Sequence, residues 1–232
     1  MEGMGYFGLN RTATIKTGYW PAFKCLALGV VLALGFSSFG RCDEKVWVEK
    51  AIGDWERGLL EETVDAIDVR VKTKPQDVPL AYWQSVAAFH LLLMTENPSN
   101  EQIEPTLETV KRAYQLNKNH PEINAMLCVL YGMRIKEKQV RSIWLGPRLM
   151  SHSKKALALP ENPRALYLVA TCHYYGGHDR KDYEEALRLL TRAQALFEEE
   201  NRTPTDKEPR WGAAGCAKFT KMTLQKLKRY SP

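Results

Sequence analysis

Hydrophobic positions beyond residue 43 recur every three or four residues rather than every second one. The pattern is clearest over residues 80–91 and 186–197. Such spacing places apolar side chains along one face of an α-helix, whereas a half-buried strand alternates apolar and polar residues. Sustained alternation of that kind does not appear in the sequence. The pattern therefore predicts an all-α fold.

Turn-forming residues separate the predicted helices, and four prolines among them recur at similar intervals. Pro79, Pro121 and Pro163 are 42 residues apart, and Pro209 follows after a further 46. Proline is tolerated in the first turn of a helix, so each position favours a helix start. Intervals of this size are typical of helical pairs that stack because one pair cannot bury its apolar face alone. We predict hairpins at about 43–74, 78–118, 120–160 and 162–201 and a closing helix at 208–229.

The residues of the last full pair resemble the tetratricopeptide repeat. Its second helix carries Ala186 and Ala193 at positions that the family keeps small, and its first helix carries Tyr167 and Tyr174 seven residues apart. The same spacing recurs at Tyr82 and Phe89 and at Asn124 and Tyr131. The resemblance implies a right-handed solenoid of stacked antiparallel hairpins with a C-terminal capping helix. These units are longer than the ~34 residues usual in the family.

In tetratricopeptide arrays the first helices line a concave groove, and the resemblance implies groove residues by position. They are Trp83, Ala87, His90, Ala125, Val129, Met133, Leu168, Cys172 and Tyr175. This set is largely apolar and aromatic, which suits an apolar or amphipathic peptide. It lacks the Lys and Asn with which chaperone-binding members hold a peptide carboxylate. The alternative is that these side chains only pack inside the array.

The first forty residues are predicted to be a targeting segment. A basic leader precedes an uncharged run at 25–40, whose 16 residues fall short of the ~20 that span a membrane. A signal peptide cleaved after Gly40 is favoured, and a short membrane anchor is the alternative. We therefore expect a bacterial exported protein, in the periplasm or outside the cell if cleaved and at the inner membrane if not.

Charge and cysteine spacing change this picture little. The net charge of +6 is too weak to indicate nucleic-acid binding, and the export signal argues against it. Basic residues around Trp144 and in the C-terminal tail favour either an anionic partner or a solvated surface. Cys128, Cys172 and Cys216 are each 44 residues apart, which indicates equivalent helix positions. Buried apolar packing is favoured for them over a disulfide.

Residues 172–182 form the richest local cluster of potentially reactive side chains. They gather Cys172, two histidines, Asp179 and Asp182 near a glycine-rich turn, but without the His-Glu-x-x-His spacing of a zinc site on one helix. Phosphate-binding, nucleophile-elbow and kinase motifs are also missing. We therefore predict no catalytic residue, metal ligand or cofactor.

The favoured function is a non-catalytic scaffold or adaptor that binds a protein or peptide partner in the groove. One alternative is an enzyme or metal-dependent protein that uses residues 172–182. The other is a membrane-surface scaffold held through residues 25–40.

Overall fold

The structure, a computed structural model, describes residues 43–158, 160–205 and 208–230, and most of them are helical. Within these residues there are nine α-helices, one short 3-10 helix and no strand, which confirms the predicted all-α class. The helices are α1 (Asp43–Asp54), α2 (Arg57–Thr73), α3 (Val78–Leu93), α4 (Asn100–Leu116), α5 (Pro121–Glu137), α6 (Ser142–Ala156), α7 (Pro163–Gly176), α8 (Arg180–Arg202) and α9 (Ala213–Lys228), with the 3-10 turn Gln139–Arg141 before α6.

The predicted N-terminal targeting segment, residues 1–40, lies outside the described residues. None of the described helices is long and apolar enough to cross a bilayer.

Prolines and side-chain caps explain where three of the helices begin. Pro79, Pro121 and Pro163 lie in the first turns of α3, α5 and α7, as the sequence predicted. Asp77 and Asn162, immediately before α3 and α7, each accept a hydrogen bond from a backbone N–H of the first turn. These caps satisfy donors that the helix itself leaves unpaired.

Two kinds of helix differ in how they are buried. In α5 ten consecutive residues, 122–131, are buried, and in α7 nine, 163–171. Helices α4, α6 and α8 bury one face each. Helices α3, α5 and α7 pack in a row, and every described helix contacts only helices one or two places away in the chain. The core therefore runs along α3, α5 and α7.

The closing helix starts later than the sequence predicted. It was expected from residue 208 because of Pro209, but α9 begins only after residue 212. Residues 208–212, here called the strap, are non-helical. The Lys45 ammonium donates to the carbonyl of Glu208, and the Arg210 N–H donates to the Glu49 carboxylate at 2.6 Å. The strap is therefore held by contacts to α1 instead of by helical hydrogen bonds.

Candidate functional site

The strap carries one buried aromatic side chain, Trp211, whose surface is only 3% exposed. Its indole N–H donates to the Tyr82 hydroxyl at 3.1 Å, and its ring lies edge-on to His90 with the ring centroids 5.1 Å apart. Tyr82 and His90 both belong to α3. Trp211 also lies within 6.0 Å of the Arg164 guanidinium on α7. Trp211 thus joins the strap to α3.

A buried polar network surrounds the Trp211 indole. The Tyr82 hydroxyl donates to the Glu122 carboxylate, which also accepts from the Asn162 side-chain amide at 2.9 Å. The Arg164 guanidinium is 2% exposed and makes two hydrogen bonds with the Glu200 carboxylate, at 2.8 and 3.0 Å. The network therefore joins the starts of α3, α5 and α7 to the end of α8.

Two groups of this network, Tyr82 and Arg164, keep their protonation states near neutral pH. Burial and the neighbouring Glu122 carboxylate raise the pKa of Tyr82 well above 10. Burial opposes the charge on Arg164, but the hydrogen bonds that it donates to Glu200, together with the negative charges of Glu122 and Glu200, outweigh burial and raise the pKa of the guanidinium. A phenol that stays protonated and a guanidinium that stays charged do not exchange protons near neutral pH. The network is therefore suited to stabilising the fold rather than to acid–base catalysis.

Most of the predicted groove residues are buried in the structure. Less than a tenth of the side chain is exposed for Trp83, Ala87, His90, Ala125, Val129 and Leu168. Met133 and Cys172 are partly exposed, and Tyr175 is 41% exposed. A ligand can therefore reach the predicted groove residues only at the C-terminal ends of α5 and α7. Binding of a ligand by all nine residues stays a prediction.

The accessible end is an aromatic cluster with one cation. Tyr175 packs edge-on against Tyr174 at 5.1 Å and against Phe219 of α9 at 5.6 Å between ring centroids. The Lys136 ammonium lies 5.8 Å from the centre of the Tyr175 ring. Burial lowers the pKa of Lys136. These four residues, here called the Tyr175 cluster, offer aromatic surface beside a positive charge, which suits an apolar side chain next to an acidic one.

Two histidines, the buried His90 and the half-buried His152, are neutral. Burial lowers the pKa of His90 to about 4, and its Nδ1 lies 2.8 Å from the Val86 carbonyl oxygen, so that nitrogen carries the proton. Burial, helped by Lys155 and Arg148, lowers the pKa of His152 to about 4 as well. These side chains therefore act as packing and hydrogen-bonding groups at neutral pH.

The equally spaced cysteines do not occupy equivalent surroundings. The Sγ atoms of Cys128 and Cys172 are 3.3 Å apart, between α5 and α7, and both are free thiols. Contact with Cys128, followed by burial, raises the pKa of Cys172 well above its usual value. Cys216 contacts the Leu190 carbonyl instead, and burial raises its pKa to about 12. Of the three cysteines that the structure describes, only Cys128 and Cys172 are therefore close enough to react.

The carboxylates of residues 172–182 cap a helix. Asp179 accepts from the Asp182 N–H at 3.1 Å, and Asp182 accepts from the Asp179 N–H at 3.5 Å, which closes a capping box at the start of α8. Asp182 also accepts from the His178 N–H at 2.9 Å. The His178 bond, joined by one from Asp179, lowers the pKa of Asp182. Within the described part of the chain, no three or more His, Cys, Asp or Glu side chains group as a metal site would require.

Sequence reasoning missed three of the residues that matter most here. Trp211 was placed in a predicted helix start, and Glu122 and Arg164 were not singled out. The available signal was a charged residue directly after Pro121 and after Pro163, at the same place in two first helices, each followed by a largely apolar run.

Comparison with known protein families, with characterised proteins and with solved structures found no match. The resemblance to the tetratricopeptide repeat therefore rests on this chain's own residues. The function of this chain is inferred from its surfaces and contacts.

Proposed function

We propose that this protein is a non-catalytic scaffold of the tetratricopeptide type, exported to the bacterial cell envelope, that binds a partner protein or peptide. In this arrangement the helices form a right-handed solenoid that α9 caps. The observation that carries it is the row of α3, α5 and α7, in which successive pairs contribute their first helices to one core. Stacked pairs of this kind give a rigid, extended binding surface. Export is supported by the sequence of residues 25–40.

The Tyr175 cluster contains the most exposed residue of the expected groove. Tyr175 is 41% exposed, whereas Trp83 and His90 at the other end are buried. Trp211 packs against His90, so a ligand that extended along α3 would have to displace the strap. We therefore propose that a partner segment docks first through an apolar or aromatic side chain on Tyr175 and Phe219, with an acidic group near Lys136.

Site-specific photocrosslinking in the producing cell tests this proposal. A photoreactive amino acid replaces Tyr175 in one variant and Val69, which is 63% exposed on α2, in a matched control. A discrete adduct from position 175 that is missing from position 69 supports the proposal. Addition of Phe219→Ala, with helical circular dichroism unchanged, should weaken that adduct. Equal labelling from both positions, or no adduct from position 175, would contradict docking at this cluster.

A further inference from the structure

Helix α6 exposes a stripe of apolar side chains on its outer side. Ile143 is 74% exposed, Trp144 53% and Met150 66%, and Pro147 lies between them. The side chains that α6 buries, Leu145 and Ala156 with Leu149 and His152 partly covered, lie on the opposite side, because one helical turn takes about 3.6 residues. The helix thus packs on the core with one face and presents a second apolar face outward.

Basic residues border this stripe, and acidic residues are nearly absent from it. Arg148, Lys154 and Lys155 lie on α6, and Lys138 and Arg141 precede it. Glu137 is the only acidic residue in positions 134–158, and Arg141 already pairs with it. Within the part of the chain that the structure describes, neither Arg148 nor Lys154 forms a salt bridge. The surface is therefore apolar at its centre and positive at its border.

We propose that this face of α6 docks on an anionic lipid surface. The exposed outer side of one helix suits a flat bilayer better than a groove-binding peptide. An amphipathic helix with an exposed tryptophan and flanking lysine and arginine side chains is typical of proteins that lie at a membrane interface. Each basic residue close to anionic lipid strengthens binding about fivefold.

A second observation favours lipid over an acidic protein as the occupant. In the alternative sequence prediction the uncharged run at 25–40 is a short membrane anchor, and it ends three positions before α1 in the chain. Whenever that run is in a bilayer, it brings the helical domain close to the headgroups. The inference does not depend on the Tyr175 cluster, so the two can fail separately.

Fluorescence quenching by brominated lipids tests the inference on the full chain. The protein is reconstituted with vesicles of phosphatidylcholine alone or of phosphatidylcholine with phosphatidylglycerol, each with and without brominated acyl chains. Trp144→Phe removes the reporter on α6, and Trp55→Phe, a 44% exposed tryptophan between α1 and α2, is the matched control. We expect quenching in phosphatidylglycerol vesicles that Trp144→Phe removes and Trp55→Phe leaves in place. Added salt, or Arg148→Gln with Lys154→Gln, should abolish the same component.

Three results would overturn the inference. The first is a Trp144 component that is not quenched in phosphatidylglycerol vesicles. The second is equal quenching in phosphatidylcholine alone, because the charged border would then have no role. The third is a dimer in analytical ultracentrifugation that Ile143→Ser with Met150→Ser converts to a monomer, which would assign the stripe to a second copy of the chain. The double variant Ile143→Ser with Met150→Ser also keeps Trp144 as a reporter. Loss of Trp144 quenching in this variant would show independently that the apolar stripe contacts the lipid.

Discussion

Mild oxidation is expected to join Cys128 to Cys172 by a disulfide. Their Sγ atoms are 3.3 Å apart, and a disulfide bond is about 2.0 Å long, so a small side-chain movement closes the gap. With glutathione disulfide as the oxidant, one thiolate forms a mixed disulfide and the second displaces glutathione as the thiol. Because the pKa of Cys172 is raised, the thiolate is scarce and the reaction should accelerate above neutral pH.

The size of the stabilisation follows from the length of the loop that the bond closes. The two cysteines are 44 residues apart, and closing a loop of that length removes about 13 cal/mol/K of entropy from the unfolded chain. This corresponds to about 4 kcal/mol of added unfolding free energy at 25 °C. For a domain of this size the midpoint of thermal unfolding, Tm, should rise by roughly 8–16 °C.

The assay compares thermal unfolding of the oxidised and reduced chain by circular dichroism. Cys25→Ser and Cys42→Ser remove the thiols outside the described residues. Mass spectrometry of an unreduced digest locates the bond. In that background Cys172→Ser should abolish the rise in Tm, whereas Cys216→Ser should leave the rise between its own reduced and oxidised forms unchanged.

Two outcomes would refute the reasoning. A bond between Cys128 and Cys172 that leaves Tm unchanged would show that unfolded-chain entropy does not set the stability here. Failure to form the bond at any pH, or its formation with Cys216 instead, would contradict the packing of α5 against α7.

Four further predictions test other parts of the structure. Trp211→Ala should lower the unfolding free energy in urea by about 3–5 kcal/mol because it leaves a cavity beside His90, whereas Trp211→Phe should cost less. Acidification should destabilise the fold through His90, whose pKa falls from 6.5 to about 4 on folding. Because His90 binds a proton more readily in the unfolded chain, the unfolding free energy should fall by about 2 kcal/mol on going to pH 5. In urea titrations of His90→Gln the unfolding free energy should depend on pH less by that amount. Gly215→Ala would place a Cβ 2.5 Å from the Tyr167 hydroxyl and should lower Tm through a loss of about 1–3 kcal/mol. Gly146→Ala, whose Cβ meets nothing within 4 Å, should instead raise Tm through a gain of about 0.5–1 kcal/mol.

Much of the local structure could be read from the sequence. Helical periodicity predicted the all-α class, and Pro79, Pro121 and Pro163 lie in first turns as expected. These features depend on residues within one or two turns of each other, so a sequence window contains all the relevant interactions. Tyr175 was also among the predicted binding residues, and it is the exposed one of that set.

The path of the strap was decided by the tertiary structure. Proline at 209 favours a helix start, but the Arg210 N–H bonds to Glu49, 161 positions away, and the Trp211 indole bonds to Tyr82, 129 positions away. Local propensities are small and are outweighed when a segment can bury a tryptophan and satisfy its backbone against distant helices. His90, which the repeat pattern assigns to the groove, is covered by the Trp211 ring for the same reason.

The sequence by itself therefore determined which segments are helical and where three first helices begin. Only the tertiary structure decided which thiols meet, which charges are paired in the interior and which apolar face of α6 remains exposed. Spacing along the chain identifies the face of a helix on which a side chain lies. What packs against that face depends on contacts between residues far apart in the chain, such as Arg164 with Glu200 and Trp211 with His90.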